Sequence, residues 1–244
     1  MKNKILFTAL ALICLICSIS ITAAAQVTKI GTGHDPAIYG SKVTWADLSG
    51  VIHLYDLSTK KDTKISSSAA SHPDIYDNKM VWFDKGSGVS RITIYDIPSG
   101  SKTFITKDVD DRSFSQIYGT RIVWSANDSV YMRDMSTSRQ KKIGSGSDPE
   151  IYDTKVVYYT YTEADDIAIR MYDINTKKAI TVNSYGDPNI PHIWGTKVIW
   201  ADLYNHQGYI AMYDMSTKKT IDVTHELDTD PNGNEYGASA SIPN

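Results

Sequence analysis

The sequence predicts an all-β propeller of five four-stranded antiparallel blades, on three observations. One phrase, Ile-Tyr-Gly/Asp-x-Lys/Arg, recurs at Ile38-Tyr39-Gly40-Ser41-Lys42, Ile75-Tyr76-Asp77-Asn78-Lys79, Ile117-Tyr118-Gly119-Thr120-Arg121 and Ile151-Tyr152-Asp153-Thr154-Lys155, with Ile193-Trp194-Gly195-Thr196-Lys197 as its last copy. The steps between copies are 37, 42, 34 and 42 residues, and a period near 40 in all-strand units is that of a propeller. Each copy also reads as four short strands joined by tight turns. Finally, such a unit has two apolar faces and must stack on its neighbours to bury them.

Residues 72–106 show how one unit is read. His72-Pro73-Asp74-Ile75-Tyr76 begins the first strand, and Asp77-Asn78-Lys79 makes a turn, because Asp and Asn can bond their own backbone. Met80-Val81-Trp82-Phe83 is a β-branched and aromatic second strand. Arg91-Ile92-Thr93-Ile94-Tyr95 alternates with period two as the third. Asp96-Ile97-Pro98-Ser99-Gly100 turns the chain into a fourth strand, Lys102–Thr106. The other second strands are Val43-Thr44-Trp45, Ile122-Val123-Trp124, Val156-Val157-Tyr158 and Val198-Ile199-Trp200. The predicted blades span about 34–66, 72–106, 113–144, 148–182 and 187–224, with 225–244 a terminal segment.

Near the ends, Val27-Thr28-Lys29-Ile30 matches a fourth strand, and Ser241-Ile242-Pro243-Asn244 resembles the approach to a first strand. The expectation is a five-bladed ring with the terminal strands as a latch. The alternative is an incomplete piece of a six- or seven-bladed propeller.

The first 25 residues read as a secretory signal peptide: basic Met1-Lys2-Asn3-Lys4, an apolar run Ile5–Ile21, and a small-residue cleavage site before Gln26. This leaves 26–244 as the propeller domain and a secreted or cell-surface location. Cys14 and Cys17 both lie in the apolar run, so their spacing carries no redox meaning. Without Lys2 and Lys4, 23 basic residues face 28 acidic ones. A mildly acidic chain with no basic stripe argues against nucleic acid as partner. No second apolar stretch approaches membrane-spanning length.

The repeat resembles the TolB-type, WD40-like β-propeller repeat. More narrowly, it is similar to propeller modules of archaeal cell-surface proteins, those of methanogens especially. Asp35-Pro36-Ala37-Ile38-Tyr39-Gly40-Ser41-Lys42-Val43-Thr44-Trp45 carries that pattern, as does Asp148-Pro149-Glu150-Ile151-Tyr152. The resemblance covers roughly residues 27–225. It implies a secreted or surface-displayed binding or adhesion module for protein or glycan and supplies no catalytic residue. Fold alone does not specify activity.

The candidate site comes from where the repeat breaks. The first-to-second and third-to-fourth turns are nearly constant and share one face; the other two connections vary and share the opposite face. Loops on a rigid scaffold commonly carry binding. The candidate ligand-binding residues there are Asp47, Asp84, Asp202, Tyr204 and His206. Asp228-Thr229-Asp230-Pro231-Asn232-Gly233 matches the first half of a calcium loop, with Asp228, Asp230 and Asn232 as ligands, but Ser239 stands at the twelfth position. Asn127-Asp128-Ser129 is an N-glycosylation sequon. The repeated Asp56, Asp96, Asp134, Asp173 and Asp214 open equivalent turns and read as turn-formers. No nucleophile elbow, zinc-protease helix motif or phosphate loop is present. The leading function is therefore non-enzymatic binding. The alternatives are a polysaccharide lyase or glycoside hydrolase using carboxylates such as Asp84 and Asp202, or His206, and a truncated repeat remnant.

Overall fold

A computed structural model describes residues 27–67, 69–85, 88–107, 109–110, 113–162, 166–202 and 208–224. The chain divides into two units, 1–31 and 32–244. Of the first, the described residues carry no strand, so Val27–Ile30 do not form the latch strand expected from their sequence. The signal-peptide reading falls outside the described residues.

The second unit holds five four-stranded antiparallel sheets, each in simple up-and-down order. Blade 1 is β1 (His34–Tyr39), β2 (Lys42–Ala46), β3 (Ile52–Asp56) and β4 (Lys61–Lys64). Blade 2 is β5 (Ala70–Tyr76), β6 (Lys79–Asp84), β7 (Arg91–Asp96) and β8 (Lys102–Ile105). Blade 3 is β9 (Ser115–Tyr118), β10 (Arg121–Ala126), β11 (Ser129–Asp134) and β12 (Arg139–Ser145). Blade 4 is β13 (Ser147–Tyr152), β14 (Lys155–Tyr161), β15 (Ile167–Asp173) and β16 (Lys178–Asn183). Blade 5 is β17 (Pro188–Trp194), β18 (Lys197–Asp202), β19 (Tyr209–Asp214) and β20 (Lys219–Asp222).

Second strands are continuous apolar runs because both faces of a blade are covered; Met80, Val81, Trp82 and Phe83 are all buried. Fourth strands are the outer edges. β4 is exposed throughout and carries Lys61 and Lys64, charges that discourage edge-to-edge pairing. The turns explain the constant part of the repeat. Gly40, Asp77, Gly119, Asp153 and Gly195 all have φ between 51° and 59°, which glycine and aspartate tolerate best. In the third-to-fourth turns the aspartate carboxylate accepts backbone N–H groups: Asp56 from Ser58 at 2.8 Å, Asp134 from Ser136 at 2.9 Å, Asp173 from Asn175 at 2.8 Å. Lys79, Lys155 and Lys197 add ion pairs to Asp96, Asp173 and Asp214 at 2.7, 2.9 and 2.5 Å. The lysine or arginine that ends each recurring phrase thus clamps, in these three blades, the turn two strands away.

Among the described residues the core is not one cluster but four, one at each junction between successive blades. Ile52, Leu54, Ile75, Met80 and Trp82 join blades 1 and 2. Val81, Ile92, Ile117, Ile122 and Trp124 join blades 2 and 3. Val123, Val130, Ile151, Val156 and Tyr158 join blades 3 and 4. Val157, Ile169, Ile193, Val198 and Trp200 join blades 4 and 5. Each junction therefore takes the forward face of one blade and the backward face of the next. First strands pack on first strands, β1 on β5, β5 on β9, β9 on β13 and β13 on β17, so the sheets fan outward from a common inner wall. No comparable packing joins blade 5 to blade 1 among the described residues. Over the described residues, the five blades form an open arc.

Candidate functional site on the inner wall and its mouth

The five first strands face the inner wall in three registers. One residue after each repeat isoleucine stands an aromatic: Tyr39, Tyr76, Tyr118, Tyr152 and Trp194. Their rings form a continuous ladder with centroid spacings of 4.7, 4.6, 5.0 and 4.8 Å. Tilted contacts of this kind suit the quadrupoles of neighbouring rings. This ladder closes the wall at the end where the constant turns lie.

One residue before the isoleucine stand Ala37, Asp74, Gln116, Glu150 and His192. The Asp74 carboxylate accepts the N–H of Ile75 and of Ile117 in the next blade, both at 2.8 Å. Burial pushes its pKa up to about 7, against the pull of those two amides. Glu150 meets Nδ1 of His192 at 2.7 Å, and that hydrogen bond raises the imidazole's pKa despite its partial burial.

Three residues before the isoleucine stand Asp35, His72, Phe114, Asp148 and Ile190, at the end where the variable connections lie. Asp35, His72 and Asp148 have φ of 53°, 51° and 46°, and each precedes a proline. The pairing of first and second strands shifts register at these points. Left-handed non-glycine residues repeated at one mouth are strain that commonly marks a functional surface. The Asp35 carboxylate accepts the His72 N–H at 3.2 Å and lies 2.9 Å from His34 Nδ1. Burial draws the Asp35 pKa up, but the His34 hydrogen bond and the His72 charge outweigh it and lower it. The His72 ring stands edge-on to Phe114 at 4.2 Å. Burial lowers the His72 pKa and raises that of Asp148.

Beside this mouth, between blades 3 and 4, lies a cavity of about 740 Å³ lined by Phe114, Asp148, Tyr159, Tyr161, Asn127 and Asp128 together with Asp110. Its size falls within the usual range of ligand sites. Tyr159 and Tyr161 meet edge to face at 6.2 Å, and Tyr161 is exposed. The Asp110 carboxylate accepts the Asn127 N–H at 2.8 Å, pinning the two-residue turn at the cavity rim. Asn127 and Asp128 both take left-handed φ there, and the sequon asparagine is exposed.

Of the residues proposed from sequence, Asn127 lines this cavity, whereas Asp47, Asp84 and Asp202 do not. The Asp47 carboxylate accepts the Ser49 and Val51 amides at 2.8 and 2.9 Å, forming its own turn, and its second oxygen lies 3.3 Å from His53. Asp84 pairs with Arg91 at 3.1 Å. Asp202 is fully buried, accepts the Asp187 N–H at 2.9 Å, and hydrogen-bonds Tyr209. Tyr204, His206 and the calcium-loop residues Asp228, Asp230 and Asn232 lie outside the described residues. No group of three or more His, Cys, Asp or Glu is arranged to hold a metal ion among the described residues. Sequence reasoning passed over His72, Phe114, Asp148, Tyr159 and Tyr161. The usable signal was the position three before each isoleucine, where residue type varies while the flanking phrase does not.

No family model matches this chain, and no curated relative matches it by sequence. Solved structures do match in fold. TolB from Acinetobacter baumannii superposes with a TM-score of 0.63 at 15% identity, over 78% of this chain and 53% of that one. This chain thus spans about half the length of that TolB. The β-propeller domain of the trilobed protease from Pyrococcus furiosus gives 0.63 at 15% identity, over 82% and 74%. An oligogalacturonate lyase in complex with manganese gives 0.59 at 11%, over 80% and 67%. At these identities the likeness is one of fold, and the described residues form five blades of a β-propeller similar in fold to TolB.

Proposed function

We propose that this chain is a non-enzymatic binding module, secreted or displayed at the cell surface, that takes a protein or glycan on its variable face. The observation that carries the reading is the cavity between blades 3 and 4, where Phe114, Tyr159 and Tyr161 supply aromatic surface beside the carboxylates of Asp128 and Asp148. Aromatic rings cover the apolar faces of a sugar or side chain, while carboxylates accept hydrogen bonds from hydroxyl or ammonium groups. The enzymatic alternative draws less support. Its carboxylates, Asp84 and Asp202, are engaged by Arg91 and by the Asp187 amide rather than presented to a ligand. The repeat and the apolar leader support the surface location.

The test is a glycan array and an extracellular-protein interaction screen on the purified protein, repeated with Tyr161→Ala and Asp148→Asn. The reading expects at least one hit that both variants weaken about tenfold or more, the loss of one desolvated polar or aromatic contact. A hit indifferent to both variants would move the site elsewhere. Turnover of any polysaccharide would replace the reading with the enzymatic one.

A further inference from the structure

Four internal junctions define what a finished blade face looks like, and among the described residues the two end faces of the arc are its unmatched halves. The repeat isoleucine is 3 to 6 % exposed in blades 2 to 5, as Ile75, Ile117, Ile151 and Ile193, but 65 % exposed as Ile38 in blade 1. That is the backward face, which in every other blade receives its predecessor. The forward face of blade 5 shows the converse. Ile199 is 40 % exposed, whereas Thr44, Val81, Val123 and Val157 at the same position are fully buried. Ile210 is 38 % exposed, whereas Ile52, Ile92, Val130 and Ile169 are fully buried. The aromatic ladder is open at both ends in the same way, with Trp194 76 % exposed beside its single ladder neighbour, Tyr152.

We propose that the chain associates head to tail: the forward face of blade 5 in one copy receives the backward face of blade 1 in a second copy. The interface continues the four junctions already present. Ile199 and Ile210 stand where Val157 and Ile169 meet Ile193 and Val198 inside the chain, and Ile38 and Val43 stand where those two residues receive them. Trp194 then takes Tyr39 as its next rung. Contiguous apolar surface of this kind, matched by a complementary surface on the same molecule, makes a heterologous contact. Such a contact closes into a ring of copies or runs on, according to the rotation between them.

Sedimentation velocity across a wide concentration range tests this with two variants, Ile38→Asp on the backward face and Ile199→Asp on the forward face. Both positions are exposed in the single chain, so both variants keep the wild-type circular dichroism spectrum. The wild-type protein should exceed the mass of one chain at micromolar concentration and dissociate on dilution. Each variant alone should associate at least about tenfold more weakly, since a buried unpaired carboxylate opposes the contact. Mixed, the two should recover a dimer of one copy each, because each retains the face that the other lacks. Trp194 emission should shift to shorter wavelength as that dimer forms. A wild-type protein that stays monomeric throughout overturns the proposal. So does a single variant that still dimerises on its own, which would mean like faces pairing, or a mixture that stays monomeric.

Discussion

The carboxylate of Asp74 accepts the backbone N–H of Ile117 at 2.8 Å, a side-chain bond that ties the innermost strand of blade 2 to that of blade 3. Polar contacts cross other junctions too, Asp35 to the His72 N–H and Glu150 to His192, but the burial of Asp74 makes this one strongly sensitive to pH. Burial raises the Asp74 pKa from 3.8 to about 7, so the folded chain holds a proton that the unfolded chain releases near pH 4. The associated stability is complete below the unfolded value and is lost as pH rises through the folded one. Wild-type stability should therefore decline between about pH 4 and 7 by about 4 kcal/mol relative to Asp74→Asn. Urea midpoints of both proteins across that range measure it. Parallel curves would show that Asp74 does not titrate in this window.

The repeat isoleucines provide an internal control for the open arc. Ile117→Ala and Ile151→Ala remove a buried side chain from a junction and should each cost about 2–4 kcal/mol. Ile38→Ala, at the same repeat position, should cost less than about 0.5 kcal/mol when the chain is monomeric. Equal losses in dilute denaturation experiments would mean that Ile38 is covered in the single chain.

Asp202 and Gly186 act as one structural unit. Gly186 has φ of 85°, and a Cβ there would come within 2.5 Å of Asp202 Oδ1. The glycine lets the loop pass over the carboxylate, which in turn holds the Asp187 amide. Gly186→Ala should destabilise by about 2 kcal/mol, from the left-handed backbone together with the clash. Asp202→Ala should lower the melting temperature comparably without creating or abolishing any ligand interaction on the blade 3–4 cavity. A binding loss in Asp202→Ala at full foldedness would restore it as a ligand residue.

Lys177 and Lys218 stand at φ of 59° and 58°, where their amides close the third-to-fourth turns onto Asp173 and Asp214. Blade 2 places Gly100 at the equivalent position. Lys177→Gly and Lys218→Gly should be neutral to stabilising, by up to about 1 kcal/mol each, because glycine adopts that backbone without steric cost. Thermal melts of the two variants and their combination test this. A clear loss of stability would show that the lysine side chains contribute more than their backbone costs.

Architecture was legible in the chain because every blade repeats the same local instructions. Gly40 or Asp77 permits a left-handed turn, Asp96 organises the next one, and Met80–Phe83 can only be a strand covered on both sides. These are short-range effects, so five copies of the phrase announce five sheets. The mouth was less legible. His72, Phe114 and Asp148 are neighbours only because equivalent positions of separate first strands converge on one inner wall, and their shared place three before each isoleucine marks them only once the blades are aligned. Asp47, Asp84 and Asp202 drew attention as repeated carboxylates, yet their partners, such as Arg91 on the next strand or the Asp187 amide in a preceding loop, depend on register and loop path.

By itself, the sequence determined the number of blades, their strand order and the chemistry of their turns, since periodicity and turn preference act within a few residues. Only the tertiary structure decided which carboxylates are already engaged, where the aromatic cavity opens, and that blade 5 does not pack on blade 1 among the described residues. Those outcomes depend on how each sheet is rotated on its neighbour. That rotation is set by side chains 30 to 40 residues apart packing at four junctions, as Val157 does on Ile193.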